Sequence, residues 1–473
     1  MVNGLYIKNA FKETFTIDAR SVILCRIMTG LSAIYIFYVY FINIELLAPE
    51  ENFYKNPYFH NPSVFLNLFI LNESALFIKV CLMAAVTMST LFIVGIGTRT
   101  FAVLIGLILI SVKNQTGFSS IGFELLLLVI LFWSLFFPHQ KINLLWDRNL
   151  KSHQSQPVIA FAWYLQIVLF YFFTFLYKAD FPEWSGNFNA LYIIFQKVNY
   201  QTFLTPWILN FPNFLKILVL LTLFLEGVAP FLFLMTARKC IPRMSFIVLY
   251  IFFHIGIMLL LDVGAFSPLS IALWMSLIPT EFWNKFQFTR RESEFEDRNR
   301  NAKAISIFIL TSAIAIVYGN TFMYVNRNYV TSQVGGPVYQ KWIMFANESS
   351  LSSNIAWLAT EATLEGATQI PELWDVMNNI PADHNYPLDK SAKYKTYIWR
   401  TFTGRIIGTL SNNERLIKTI PKYFCKAWNE THERKVTSVK FVVVVTKVQM
   451  QNQDKSPKRV RELSRADCTL SQI

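Results

Sequence analysis

About nine apolar stretches, most of them near 20 residues long, divide the chain between Val22 and Val325. A helix of about 20 apolar residues spans the hydrocarbon core of a bilayer, and a chain carrying several of them has few alternatives to a bundle of membrane helices. The stretches run from about Val22 to Ile42, Ala75 to Ile96, Phe101 to Val112, Ile121 to Phe137, Val158 to Tyr177, Leu215 to Met235, Phe246 to Leu261, Phe266 to Trp283 and Ala304 to Val325. Composition agrees. Of 473 residues 53% are hydrophobic and only 15% charged, well below the roughly 25% charged residues of soluble domains. The expected fold is an α-helical polytopic membrane protein with about nine transmembrane helices over residues 20–325.

The net charge of +13 does not point to nucleic acid, because the basic residues sit in short loops between apolar runs. With the N-terminus in the cytoplasm, the inner side collects Lys8, Lys12, Arg99, Lys141, Arg148, Lys151, Arg238, Lys239, Arg243 and the charged loop 284–303. The outer loops keep Lys55, Lys113, Lys178 and Lys197. The asymmetry predicts a cytoplasmic N-terminus and, after nine crossings, an extracytoplasmic tail. Residues 1–19 read as an interfacial segment, and no cleavage site follows the first apolar run, so no cleavable signal peptide is expected.

From residue 326 the pattern changes. Lys341–Ala346, Ile355–Leu364 and Ser438–Val448 read as strands, and Ala392–Leu410 and Asn413–Asn429 as helices, giving a small α+β domain over 326–449. Residues 450–473 are polar and expected to be disordered. Cys425 and Cys468 lie in this tail. They are expected to be free thiols, with pairing open to them if the tail is extracytoplasmic.

One stretch holds most of the chemistry. The run from Val158 stops on Lys178, Asp180, Glu183 and Trp184. A lysine at the rim of a membrane helix usually snorkels to water, but two carboxylates, a proline and a tryptophan give this exit a definite shape. Asn114, Gln115 and Lys178 converge on one predicted face. Glu226, followed by Gly227 and Pro230, and Glu124 are acids within apolar runs and need partners. His254 reads first as a helix-packing histidine, Trp184 as an interfacial anchor, and Arg26 as a residue that snorkels or pairs. No second His or Cys stands at metal spacing from His254, so no metal is predicted.

Four pieces in order give the chain a resemblance to a known family: Gly97-Thr-Arg99 through Asn114 to Leu135-Phe-Phe-Pro138; Tyr171 through Lys178 to Trp184-Ser-Gly186; Glu226-Gly-Val-Ala-Pro230; and Phe253-His254 followed by Gly264-Ala-Phe266-Ser. Together with Gln340-Lys-Trp342-Ile-Met-Phe345 they resemble the horizontally transferred transmembrane domain family, which includes the vitamin K-dependent gamma-carboxylases. The match covers most of residues 20–365. The resemblance implies a carbon-carbon lyase and quinol-epoxidising chemistry. Lys178 would be the base for a reduced quinone of the vitamin K type, and a glutamate of a secreted peptide or protein would be carboxylated. Asn114, Gln115, Tyr177, Trp184, Glu226 and His254 would line the site, with the quinol ring among Phe172, Phe173, Phe175 and Tyr177. Such a base needs an amine in a low-dielectric pocket, where desolvation favours the neutral form. Two positions depart from the carboxylase pattern. Tyr177 precedes Lys178 where the carboxylases carry a second lysine, and Gln115 follows Asn114 where they carry a histidine. Glutamine hydrogen-bonds but accepts no proton. The alternative is therefore a non-catalytic accessory, maturation or export factor for a secreted peptide. A transporter would call for inverted repeats, and none is evident.

Overall fold

The computed structural model describes residues 10–48, 66–116, 122–145, 153–285, 294–295, 302–326, 340–346, 351–352, 354–366, 368–370, 373, 396–401, 414–447 and 459–468. The apolar runs become helices with legible ends. Asp18 caps α1 (Ala19–Ile42), accepting from the Arg20 backbone N–H at 2.9 Å and pairing with the Nε and Nη2 edge of its buried guanidinium. Ser74 caps α2 (Ala75–Val94), which stops on Gly95 at φ +97°, a conformation that favours glycine. There follow α3 (Thr98–Thr116), α4 (Gly122–Ser134) and α5 (Pro157–Ala179), the last opening on a proline whose missing N–H costs nothing there. Helices α6 (Pro212–Gly227) and α7 (Ala229–Thr236) meet at a bend of 46°. Then come α8 (Cys240–Leu260), α9 (Phe266–Met275) and α10 (Ala302–Val325).

Among the described residues, α1, α2, α5, α8 and the Ser306–Val325 part of α10 are long and apolar enough to cross a membrane, five in all, or six if the bent pair α6–α7 is one span. Their outer faces leave Leu76, Val80, Ile217, Leu220, Phe252 and Ile314 exposed, as lipid contact requires and water does not favour. The other three expected spans are helical but fall short of that test. Helix α4 has 13 residues and α9 has 10, or roughly 20 and 15 Å at 1.5 Å per residue. Of the 13 residues of α4, 11 are buried, so its apolar character answers to protein on all sides. Helix α3 is 19 residues long, but polar residues occupy both ends. The acid inside α4 has its partner: Glu124 is fully buried and accepts from the Tyr40 hydroxyl of α1. At the N-terminus, residues 10–14 are helical, and Phe11 and Phe15 pack on Phe161 of α5 with ring centroids 5.8 and 5.0 Å away.

The tail forms a four-stranded antiparallel sheet of β1 (Asn354–Leu364), β2 (Gln369–Ile370), β3 (Val436–Lys447) and β4 (Arg459–Asp467), in the order β2-β1-β3-β4. Helix α11 (Glu414–Thr431) covers β3 and β4, with Phe424 edge-on to Phe441 at 5.2 Å. Three expectations need correction. The expected disorder after residue 450 is interrupted by β4, a mostly polar edge strand whose composition hides its pairing. Cys425 and Cys468 are joined by a disulfide and are not free thiols. Lys341–Ala346 is not a strand. It is an irregular segment ending in a turn, because its neighbours are bundle side chains: Gln340 and Gln166 of α5 exchange amide hydrogen bonds of 2.9 and 3.1 Å, and Trp342 stands edge-on to Phe170 at 4.6 Å. Of the expected helix Ala392–Leu410, residues 397–401 are helical, and most of the rest lies outside the described residues, as does most of the charged loop 284–303. The tail meets the bundle where α1 and α8 end, through Trp399 on Glu45 (3.2 Å) and Arg400 on Asp262 (2.6 Å).

The disulfide closes a loop of 43 residues and ties α11 to the end of β4. Replacing both cysteines with serine is expected to destabilise the tail by about 2–4 kcal/mol. Limited proteolysis of the purified protein, with and without reductant, checks this: cleavage near β4 should appear early in the variant and in the reduced wild type alike.

Candidate functional site

Lys178 lies in the last turn of α5, where a basic residue suits the carbonyl end of the helix dipole. It does not snorkel. Its side chain is 5% exposed, and Nζ sits 2.5 Å from Oε1 of Glu226, itself 6% exposed. Glu226 is brought there by the local sequence of α6. A Cβ on Gly227 would lie 2.8 Å from the Phe175 ring of α5, so glycine permits the close approach of the two helices. Pro230 supplies no N–H to the Glu226 carbonyl, and the helix bends here. The Tyr250 hydroxyl of α8 takes up the Leu225 carbonyl at 2.5 Å, which ties the bend to the next helix.

After α5 the chain turns through the short helix Pro182–Ser185, which folds Trp184 back over the amine. Nζ is 4.8 Å from the ring centroid, a cation–π distance. Trp184 is held by the tail, since its indole N–H donates to the Phe345 carbonyl at 2.9 Å. The ammonium therefore has a carboxylate on one side and an aromatic face on another, both buried.

Two turns earlier on the same face of α5 stands Tyr171. Its hydroxyl is 2.6 Å from His254 Nε2 and accepts from the Trp274 indole N–H at 2.7 Å. Trp274 only donates, so the arrangement that uses every proton has Tyr171 donating to Nε2 and the histidine proton on Nδ1. Nδ1 is buried and has no partner among the described residues, and neither has the second carboxylate oxygen of Glu226. The histidine is close enough to Lys178 to interact with it electrostatically. The site thus holds one unmatched buried donor and one unmatched buried acceptor around an ion pair. No family model, curated protein or solved structure matches the chain.

The residues singled out by sequence separate into two groups. Lys178, Glu226, Trp184 and His254 gather here. Asn114 and Gln115 make no hydrogen bond to Lys178, and Gln115 donates to the Leu47 carbonyl at 2.8 Å, beyond the end of α1. Tyr177 is buried on the other side of α5, edge-on to Tyr324 of α10 at 5.3 Å. The phenylalanines expected to receive a ring already have protein neighbours: Phe172 meets Phe231, Phe173 meets Tyr324, and Phe175 lies against Gly227. Tyr171, Tyr250 and Trp274 received no site role in the sequence reading. The seven-residue spacing of Tyr171 and Lys178 was the available signal for the first. The other two come from separate helices and left none.

Removing one member of a buried pair strands the other. Glu226→Leu or Lys178→Met alone is expected to cost about 3–5 kcal/mol, while the two substitutions combined recover most of the loss. Unfolding of the four proteins in detergent measures it as a double-mutant cycle. One titrating group lies outside the helices. Burial pushes the Lys197 ammonium down from 10.5 to about 8. Between those values the unfolded chain binds the extra proton, so stability should rise with pH from about 8 towards 10.5. The melting temperature against pH should lose that rise in Lys197→Met.

Proposed function

We propose that the chain is a multi-pass membrane protein of the horizontally transferred transmembrane domain kind, and that Lys178 acts in it as a buried base on an acidic hydroxyl. The observation that carries this reading is the Lys178–Glu226 pair, enclosed by Trp184 and flanked by unmatched polar atoms. A proton passed from Nζ to Glu226 leaves a neutral amine beside a neutral acid and creates no net charge in the bundle. The amine then takes a proton from the hydroxyl, and the ammonium so formed balances the negative charge left behind. Glu226 Oε2 is free to accept a hydrogen bond from a substrate, and His254 Nδ1 is free to donate one. That donor-acceptor set fits the ring oxygens of a reduced quinone, which would be held by Glu226 and His254. A quinol of the vitamin K type supplies an acidic hydroxyl, and its oxygenation by dioxygen would yield an alkoxide basic enough to take the γ proton of a glutamyl peptide, whose carbanion then adds carbon dioxide.

The nine-span reading, with the N-terminus inside and the tail outside, belongs to the same proposal. The Cys425–Cys468 disulfide supports it, because disulfides persist in oxidising compartments. A different observation favours the accessory reading: Gln115 is tied to Leu47, so the position matched to the carboxylase histidine lends nothing to the amine. In that case the pair is structural and the protein assists maturation or export of a secreted peptide.

Purified protein in detergent, given reduced menaquinone and dioxygen, is expected to form the epoxide, with carboxylation when a glutamyl peptide and carbon dioxide are added. Lys178→Ala should abolish both. A wild type that forms neither product, with a Lys178→Ala cell phenotype unchanged from wild type, would leave the accessory reading in place.

A further inference from the structure

At the opposite end of the bundle from Lys178, the structure carries a second buried cation. Arg26 lies in the second turn of α1 and is 4% exposed. Six residues earlier Arg20, equally buried, has the carboxylate of Asp18 on its guanidinium. Arg26 has none. Its Nη1 donates to the Gln140 carbonyl at 2.8 Å, and Nε and Nη2 are buried with no partner among the described residues. These two nitrogens form one edge of the guanidinium plane and present two parallel N–H bonds, the fork that receives two oxygens of one anion. A guanidinium shut away from water without a counter-charge is costly, so an unpaired fork at this depth marks a ligand position.

The surroundings agree. Arg26 lines a small, partly open recess with Cys25, Phe92, Ser134, Phe137 and His139. Beside it, Gly95 at φ +97° keeps the space next to the fork clear, since a Cβ there would lie 2.8 Å from Nη2. The rim is basic. His139 is fixed by its Nδ1 to the Thr98 hydroxyl at 2.6 Å, Arg99 is anchored by Nε to the Leu135 carbonyl at 2.9 Å, and Lys141 is exposed. This is where α1 starts, α2 ends and α3 starts, the level of a bilayer interface if these helices cross it. Basic residues at the level of a bilayer interface suit the phosphate of an anionic headgroup.

We propose that the Nε and Nη2 edge of Arg26 binds the oxygens of a phosphate group, carried by an anionic phospholipid headgroup or present as free phosphate. The full chain in detergent would be titrated with phosphatidylglycerol or phosphatidylcholine and weighed by native mass spectrometry. Its melting temperature would be followed with inorganic phosphate. A lipid source predicts retention of phosphatidylglycerol over phosphatidylcholine, weakened about tenfold in Arg26→Lys, which keeps the charge and removes the fork. A free-phosphate source predicts no lipid preference and a phosphate-dependent rise in melting temperature that Arg26→Lys loses. Hydrogen exchange on the wild type needs no variant: the bound species should slow exchange over residues 92–99 and 134–141. Equal retention of the two lipids with no effect of phosphate would overturn the proposal. So would binding unchanged in Arg26→Lys, or exchange in those two segments indifferent to both ligands.

Discussion

An ammonium taken out of water costs several kcal/mol unless a carboxylate goes with it. Lys178 and Glu226 meet that condition with side chains 5% and 6% exposed, and the architecture around them follows from it. The bend between α6 and α7 lets Glu226 end its helix beside α5. Gly227 lets the two helices come close enough, and Tyr250 occupies a carbonyl at the bend. An ion pair of this kind contributes little net stability compared with apolar side chains of the same size. Under the proposed function its use is a proton that moves between two neutralisable groups.

The tail of the chain is joined to this site. Gln340 and Trp342 enter the bundle beside Gln166 and Phe170, and the Phe345 carbonyl positions Trp184 over the amine. One wall of the site is therefore set by a residue 167 positions later in sequence than Lys178. Because Gln166 lies 12 residues before Lys178, the inserted segment extends roughly 18 Å below the site along α5.

Much of the bundle was legible because apolar runs and their capping residues are local signals. Asp18, Ser74, Gly95 and Pro157 mark helix ends without reference to anything distant. The number of spans was less legible. Helix α4 is as apolar as a lipid-facing helix, since being surrounded by protein and being surrounded by lipid select the same residues. The string Lys341–Ala346 has the composition of a strand, and its Gln–Gln exchange with α5 is a long-range fact that no local pattern carries. The polar edge strand β4 was hidden for the opposite reason, having little apolar surface to announce it. At the site, Lys178 and Glu226 were each visible as charges in apolar surroundings. That they face each other depends on a helix bend, and the Tyr171–Trp274 contact on a third helix.

The reciprocal amide pair of Gln166 and Gln340 also bears on biosynthesis. Helices α1–α10 are all synthesised before residue 340 is made. Until then Gln166 stands in an apolar interior without the partner it has in the finished protein, which is unfavourable for an amide. Full satisfaction of the amide buried in α5 is therefore coupled to docking of the downstream segment.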